Sequence, residues 1–168
     1  MRKINTRTIV YLGVLAALEI VLNRFLSINA WNIKIGFNFV PIAVAAILFG
    51  PIPAGIVGAL GDFLGAILFP IGPYFPGFTL TSFLVGVVLG LFLHEKQSPV
   101  RILIAVGINQ LVLGLFVNSF WISVLYMSPY AALLTTRIVQ CAILLPVQFV
   151  VILLIGKALT TYGKRLLA

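Results

Sequence analysis

Four ionisable residues stand inside long apolar runs of this chain: Glu19, Arg24, Asp62 and Arg137. Burying a charge within a bilayer costs at least a few kcal/mol, so intramembrane charges are rare and mark sites where a ligand or ion is handled. A buried carboxylate accepts hydrogen bonds from N–H donors, and an arginine fork grips a carboxylate with two parallel bonds. The four either neutralise one another as buried pairs or line a polar cavity that opens outward. An empty binding site can do both.

Uncharged polar residues accompany them. Asn23 follows Glu19 by four residues and so shares its helix face. Asn109, Gln110 and Asn118 lie on one apolar run, with Trp121 one turn after Asn118; Arg137 and Gln140 are three apart on the next. Asn109 and Gln148 are expected to make helix-to-helix hydrogen bonds. Trp121 fits either the cavity or an aromatic belt at the membrane edge. Two connecting stretches are rich in aromatics: Trp31 to Phe39, and Phe69 to Phe78, which holds Tyr74, Phe75 and Phe78 among prolines and glycines. Flat aromatic side chains over a polar cavity suit a planar ring ligand.

Familiar catalytic sets are missing. The single histidine, His94, falls in a charged connection, and no G-x-x-x-x-G-K-[ST] or H-E-x-x-H pattern occurs. Asp62 is the one aspartate, and Cys141 has no second cysteine to pair with. The expectation is a binding protein rather than an enzyme, with no metal site and no cofactor.

These residues need elements to hold them. The chain has 168 residues, 62% of them hydrophobic and 8% charged, with a mean hydropathy of +1.21. A soluble domain is about half apolar and about a quarter charged, so the surplus must face lipid. Six apolar stretches approach the roughly 20 residues of a spanning helix: about Thr8 to Leu26, Phe39 to Gly50, Ala54 to Phe69, Phe78 to Leu93, Ile102 to Leu125 and Tyr130 to Leu159. Turn signals at Phe49 to Pro53, Pro70 to Pro73, Gln97 to Pro99 and Ser128-Pro129 punctuate them. The fold class is therefore all-α: one polytopic membrane domain over residues 1–168 with six transmembrane helices. The first run resembles a signal peptide but is long and interrupted by Glu19 and Arg24, so it reads as a retained span.

Lysine and arginine positions orient the bundle. With six spans, Arg2, Lys3, Arg7, Lys96, Arg101, Lys157, Lys164 and Arg165 share one side, and the opposite loops hold Lys34 alone. Cationic loops stay in the cytoplasm, so both termini are cytoplasmic. Bases at the ends of apolar runs are not a nucleic-acid face, so no nucleic-acid partner is expected. At 1.5 Å per residue, Asp62 stands about 16 Å from the inner boundary, near the midplane, while Arg24 and Arg137 sit closer to the outside.

Three stretches carry a family resemblance: Ala17 to Ile28, containing Glu19, Asn23 and Arg24; Lys34-Ile35-Gly36-Phe37; and Gly58 to Pro70, running on through Gly72 to Leu80. They resemble the substrate-binding S component of an energy-coupling factor transporter, of the folate-specific type. The resemblance implies a pocket open to the outside, a gating loop between the first two helices, and location in a bacterial cell membrane. It also implies partners, namely a transmembrane coupling subunit and two cytoplasmic ATPases. The family docks through an Ala-xxx-Ala surface on the first helix; here Gly13, Ala16 and Ala17 supply the small residues.

Folate chemistry matches these residues. Its pterin ring offers an amino group and a ring N–H side by side, which Glu19 or Asp62 could accept. Its two tail carboxylates suit Arg24, Arg137 and Lys34. A deep acid beneath shallow bases implies ring-first entry. Pantothenate would leave the acids and aromatics unused, and riboflavin the bases. A structural membrane protein, with charges that only hold helices together, is the alternative of another class.

Overall fold

In the computed structural model, backbone is described for residues 6–30 and 33–166, and side chains for residues 6–27 and 35–159. Six helices follow in order: α1 (Thr6–Arg24), α2 (Phe39–Phe49), α3 (Pro51–Leu68), α4 (Pro76–Leu93), α5 (Pro99–Tyr126) and α6 (Tyr130–Leu166). Five are long and apolar enough to cross a membrane, and α2 is the shorter exception. The sixfold count read from hydropathy is what the fold contains. Three helices begin earlier than their apolar runs because Pro51, Pro76 and Pro99 occupy the first helical position. Proline's missing N–H costs nothing there, and its fixed φ suits a helix start.

Two features carry no hydropathy signal. The α1–α2 connection forms a small antiparallel hairpin, β1 (Ile28–Ala30) with β2 (Ile33–Ile35), in the register Ile28↔Ile35 and Ala30↔Ile33. Within α5, residues Ile108–Val117 are wound as a π-helix. A π segment widens the helix locally and commonly accompanies a functional site.

Small residues set the closest crossings. A Cβ on Gly58 would lie 2.5 Å from the Ser82 carbonyl, while one on Gly86 or Gly90 would strike the backbone of Ala54 or Pro51. α3 and α4 therefore meet backbone to backbone, as small residues permit in lipid. The α2–α3 turn depends on Gly50, whose φ of 93° favours glycine. His94 closes this end, its Nδ1 lying 3.2 Å from the Ile47 carbonyl. The main core is apolar: Ile42, Ala43, Ala45 and Ala46 of α2 pack with Val57, Leu89, Leu93, Ile102, Val106 and Ile152. With the termini inside, most of these residues lie toward the cytoplasmic ends of their helices.

On α1, Gly13 and Ala17 are exposed, and nothing lies within 4 Å of a Cβ placed on Gly13. Ala16 is 6% exposed and belongs to the core. Ala16 is therefore not part of an exposed docking face. One residue of helix turns the chain by about 100°, which points Ala16 inward while Gly13 and Ala17 stay on one stripe.

Candidate functional site

α2 rises only about 16 Å over its eleven residues, roughly half of a 30 Å hydrocarbon core. Its outer end borders a cavity of about 560 Å³ that every helix helps to line. That volume lies within the range of small-molecule sites. Asn23 and Arg24 line it from α1, Asp62 from α3, and Phe78, Thr81, Ser82 and Val85 from α4. Asn109, Gln110 and Asn118 contribute from α5, and Arg137, Gln140 and Gln148 from α6. Tyr74 and Phe75 enter from the α3–α4 loop.

A hydrogen-bonded chain closes the outer rim. Tyr74 Oη lies 3.3 Å from Thr79 Oγ1, which donates to Asp62 Oδ2 at 2.8 Å. Arg24 Nη2 donates to the Asp62 backbone carbonyl at 3.4 Å. Asp62 thus shares a layer with Arg24 and with the first turn of α4, and the expected deep acid beneath shallow bases is not what forms. Offsets along a single helix missed this because tilted helices do not share one depth scale. Cys141 Sγ meets the Gln110 carbonyl at 3.3 Å. Arg137, one turn outward of Cys141 on α6, is only 7% exposed.

The polar inventory is unusual for a protein interior. Among the described residues, Asn23 Oδ1, Arg24 Nε, Asn109 Oδ1, Asn118 Oδ1, and Arg137 Nε and Nη1 are buried with no hydrogen-bond partner. Native proteins hold few such groups, because each forfeits roughly 1–3 kcal/mol of lost hydration. Here the residues that carry them all line one cavity, with donors on two arginines and acceptors on three amides, whereas Ser119, whose Oγ is also unpartnered, does not line it. Among the described residues, no acid meets the orphaned nitrogens of either arginine.

Aromatic packing stiffens one wall. The Phe75 ring lies 6.0 Å from Phe78 and 5.5 Å from Trp121, and Phe120 packs tilted against Trp121 at 5.2 Å. Trp121 Nε1 donates to Thr81 Oγ1 at 3.1 Å. Trp121 therefore braces Phe75 and the α4–α5 contact without lining the cavity. Glu19, also expected in the site, lies behind the α1 wall, fully buried against Gly61 of α3, where a side-chain Cβ would strike its carboxylate. Gly65, one turn on, leaves the same kind of room for Arg24. The side chain of Lys34 lies outside the described residues. Eight of the eleven expected ligand residues line the cavity: Asn23, Arg24, Asp62, Tyr74, Phe75, Phe78, Asn118 and Arg137.

Several lining residues were not singled out from sequence, among them Asn38, Thr81, Ser82 and Tyr126. Thr81 and Ser82 interrupt an apolar helix and could have been noticed on that ground. Asn109 is divided: Nδ2 donates to the Val85 carbonyl at 3.3 Å, a helix-to-helix bond as expected, while Oδ1 remains unpartnered. Gln148 was expected to bond another helix and instead lines the cavity.

Comparisons with known proteins follow the same outline. Residues 3–165 match the family described as ECF-type riboflavin transporter, S component. The chain is 44% identical to the folate transporter FolT of Clostridium novyi over 153 residues, covering 90% of this chain and 88% of that protein. It is 31% identical to the folate transporter FolT of Leuconostoc mesenteroides, covering 87% and 82%. A crystal structure of FolT bound with folic acid superposes with a TM-score of 0.87 at 32% identity, covering 92% of this chain and 95% of that one.

Proposed function

The chain belongs to the S-component family of ECF-type transporters, and from that premise we propose that it captures folate at the outer face of the membrane for import. It is a multi-pass protein of the bacterial plasma membrane. The family description names riboflavin and the relatives name folate, so the site chemistry has to choose. Two arginines with unpartnered nitrogens around one cavity carry the choice. Riboflavin has no carboxylate to give them. Folate has two, and a guanidinium fork meets a carboxylate bidentately while staying ionised where polarity is low.

In this reading Arg24 and Arg137 bind the two tail carboxylates, with Lys34 assisting from the hairpin. Asn23, Asn118 and Asp62 accept from the donor edge of the pterin. Tyr74, Phe75 and Phe78 cover the flat ring, with Trp121 behind them. The ATP-driven step falls to a separate coupling module, made of a transmembrane coupling subunit and two ATPases. Gly13 and Ala17 form the α1 stripe that the coupling subunit approaches.

Calorimetry on the detergent-solubilised chain, without partners or ATP, tests the substrate. Folic acid is expected to bind at one site per chain and riboflavin to give no heat. Heat with riboflavin and none with folic acid would retire folate and leave the family standing.

A further inference from the structure

Glu19 and Asn23 sit one turn apart on α1, yet only Asn23 reaches the cavity. Asn23 Nδ2 donates to Glu19 Oε1 at 2.8 Å. Both residues are almost fully buried, at 0% and 2% exposure. Asn23 Oδ1 is buried with no hydrogen-bond partner. An amide nitrogen can only donate and an amide oxygen can only accept. One N–H of that amide is held by Glu19, which fixes the orientation of the amide and leaves Oδ1 as its unpartnered acceptor.

We propose that Glu19 is a positioning residue for substrate selection: it never touches the ligand, but locks Asn23 Oδ1 toward the cavity, where it accepts a hydrogen bond from an N–H group of the ligand ring. This rests on the folate reading and deepens it. The donor edge of a pterin, its 2-amino group beside a ring N–H, is the chemistry such an acceptor selects.

Three features of the fold support the lock. The four-residue spacing brings the two side chains together along one helix face, so the bond does not depend on a neighbouring helix. Gly61 has no side chain, and the Glu19 carboxylate fills the space where one would stand, which limits its rotation. The carboxylate also polarises the amide it holds. Pulling on Nδ2–H raises the negative charge on Oδ1 and strengthens its bond to the next donor, as hydrogen-bond chains do in a low-dielectric interior. Glu19 thus lends acceptor strength to the cavity while its own carboxylate stays behind the wall. Asp62 differs, since one of its carboxylate oxygens already accepts from Thr79 Oγ1 and the residue itself lines the cavity.

Glu19→Gln tests the inference. A glutamine amide can accept from Asn23 Nδ2 or donate to Asn23 Oδ1, so the orientation of Asn23 is no longer dictated. Affinity is measured by calorimetry for folic acid and for a folic acid analogue with the 2-amino group replaced by methyl. The parent is expected to prefer folic acid by about tenfold or more, the size of one good hydrogen bond to a charge-assisted acceptor. In Glu19→Gln that preference should fall to within a few-fold of unity. A Glu19 that only holds helices together would lower thermal stability and leave the preference unchanged, and that result overturns the inference. If Glu19→Gln does not fold, the parent decides: equal affinity for the two ligands means that Asn23 reads no donor. A parent that binds neither ligand defeats the folate reading itself, a different outcome from any of these.

Discussion

The inner and outer halves of the helix bundle are built on opposite rules. Toward the cytoplasm, alanines of α2 and the branched residues Val57, Leu89, Ile102, Val106 and Ile152 close into a core with exposures of 0–1%. Glycines of α3 and α4 bring two backbones together there. Toward the outside, the same helices keep a cavity of about 560 Å³ between them and leave polar atoms of Asn23, Arg24, Asn109, Asn118 and Arg137 without partners. Among the described residues, the inner half satisfies the side-chain polar atoms that it buries. The outer half does not, and each unsatisfied group makes the empty protein less stable than it could be. Stability and recognition are thus divided along the membrane normal, the dense half holding open the half that binds.

If that division is right, the most damaging substitution lies far from the ligand. Gly90→Leu would drive a side chain into the Pro51 backbone, where no flexible group can yield. Overpacking typically costs about 1–3 kcal/mol, and against backbone the upper end or more is expected. The variant should lose its thermal transition and its folate binding together. A Gly90→Leu protein that melts like the parent would break the comparison at its stable end.

Next come the arginines of the outer half. Arg24→Ala and Arg137→Ala should each weaken folic acid binding by about one to two orders of magnitude, from the roughly 1.5–3 kcal/mol of a charge-assisted bond. The effect on a pterin lacking the glutamate tail should be small. Removing Arg137, a buried charge with two unpartnered nitrogens, should also raise the melting temperature of the empty protein, because an unpaired buried charge is a cost. If Arg137→Ala instead melts lower and weakens both ligands equally, the arginine holds helices together and the outer half is not a poised site.

The smallest effect on binding belongs to a surface outside both halves. Gly13→Leu or Ala17→Leu faces away from the core, so folate affinity and melting temperature should match the parent. Uptake into cells, and co-purification with the coupling module, should fail because a bulky side chain holds the partner helix away. Uptake equal to the parent's would show that this stripe is not where the partner sits.

Much of this was legible in the linear sequence, for reasons of hydrophobicity and charge. Six apolar runs, their Gly-Pro punctuation and the one-sided distribution of lysine and arginine determine an all-helical membrane bundle with its termini in the cytoplasm. The cost of burying charge likewise picks out Arg24, Asp62 and Arg137 as residues that need a reason to be there. Only the tertiary structure could decide which of them meet, because tilt, crossing angle and loop path are not encoded in spacing along one helix. It brought Asp62 level with Arg24 through Thr79 on a different helix, turned Ala16 into the core beside an exposed Ala17, and wound part of α5 as a π-helix that hydropathy cannot distinguish from α. It also left Glu19 outside the cavity lining while Asn23, hydrogen-bonded to it from one turn on, lines the cavity. The missing side chain of Gly61 gives the carboxylate its place behind the wall, and the cavity begins at the amide.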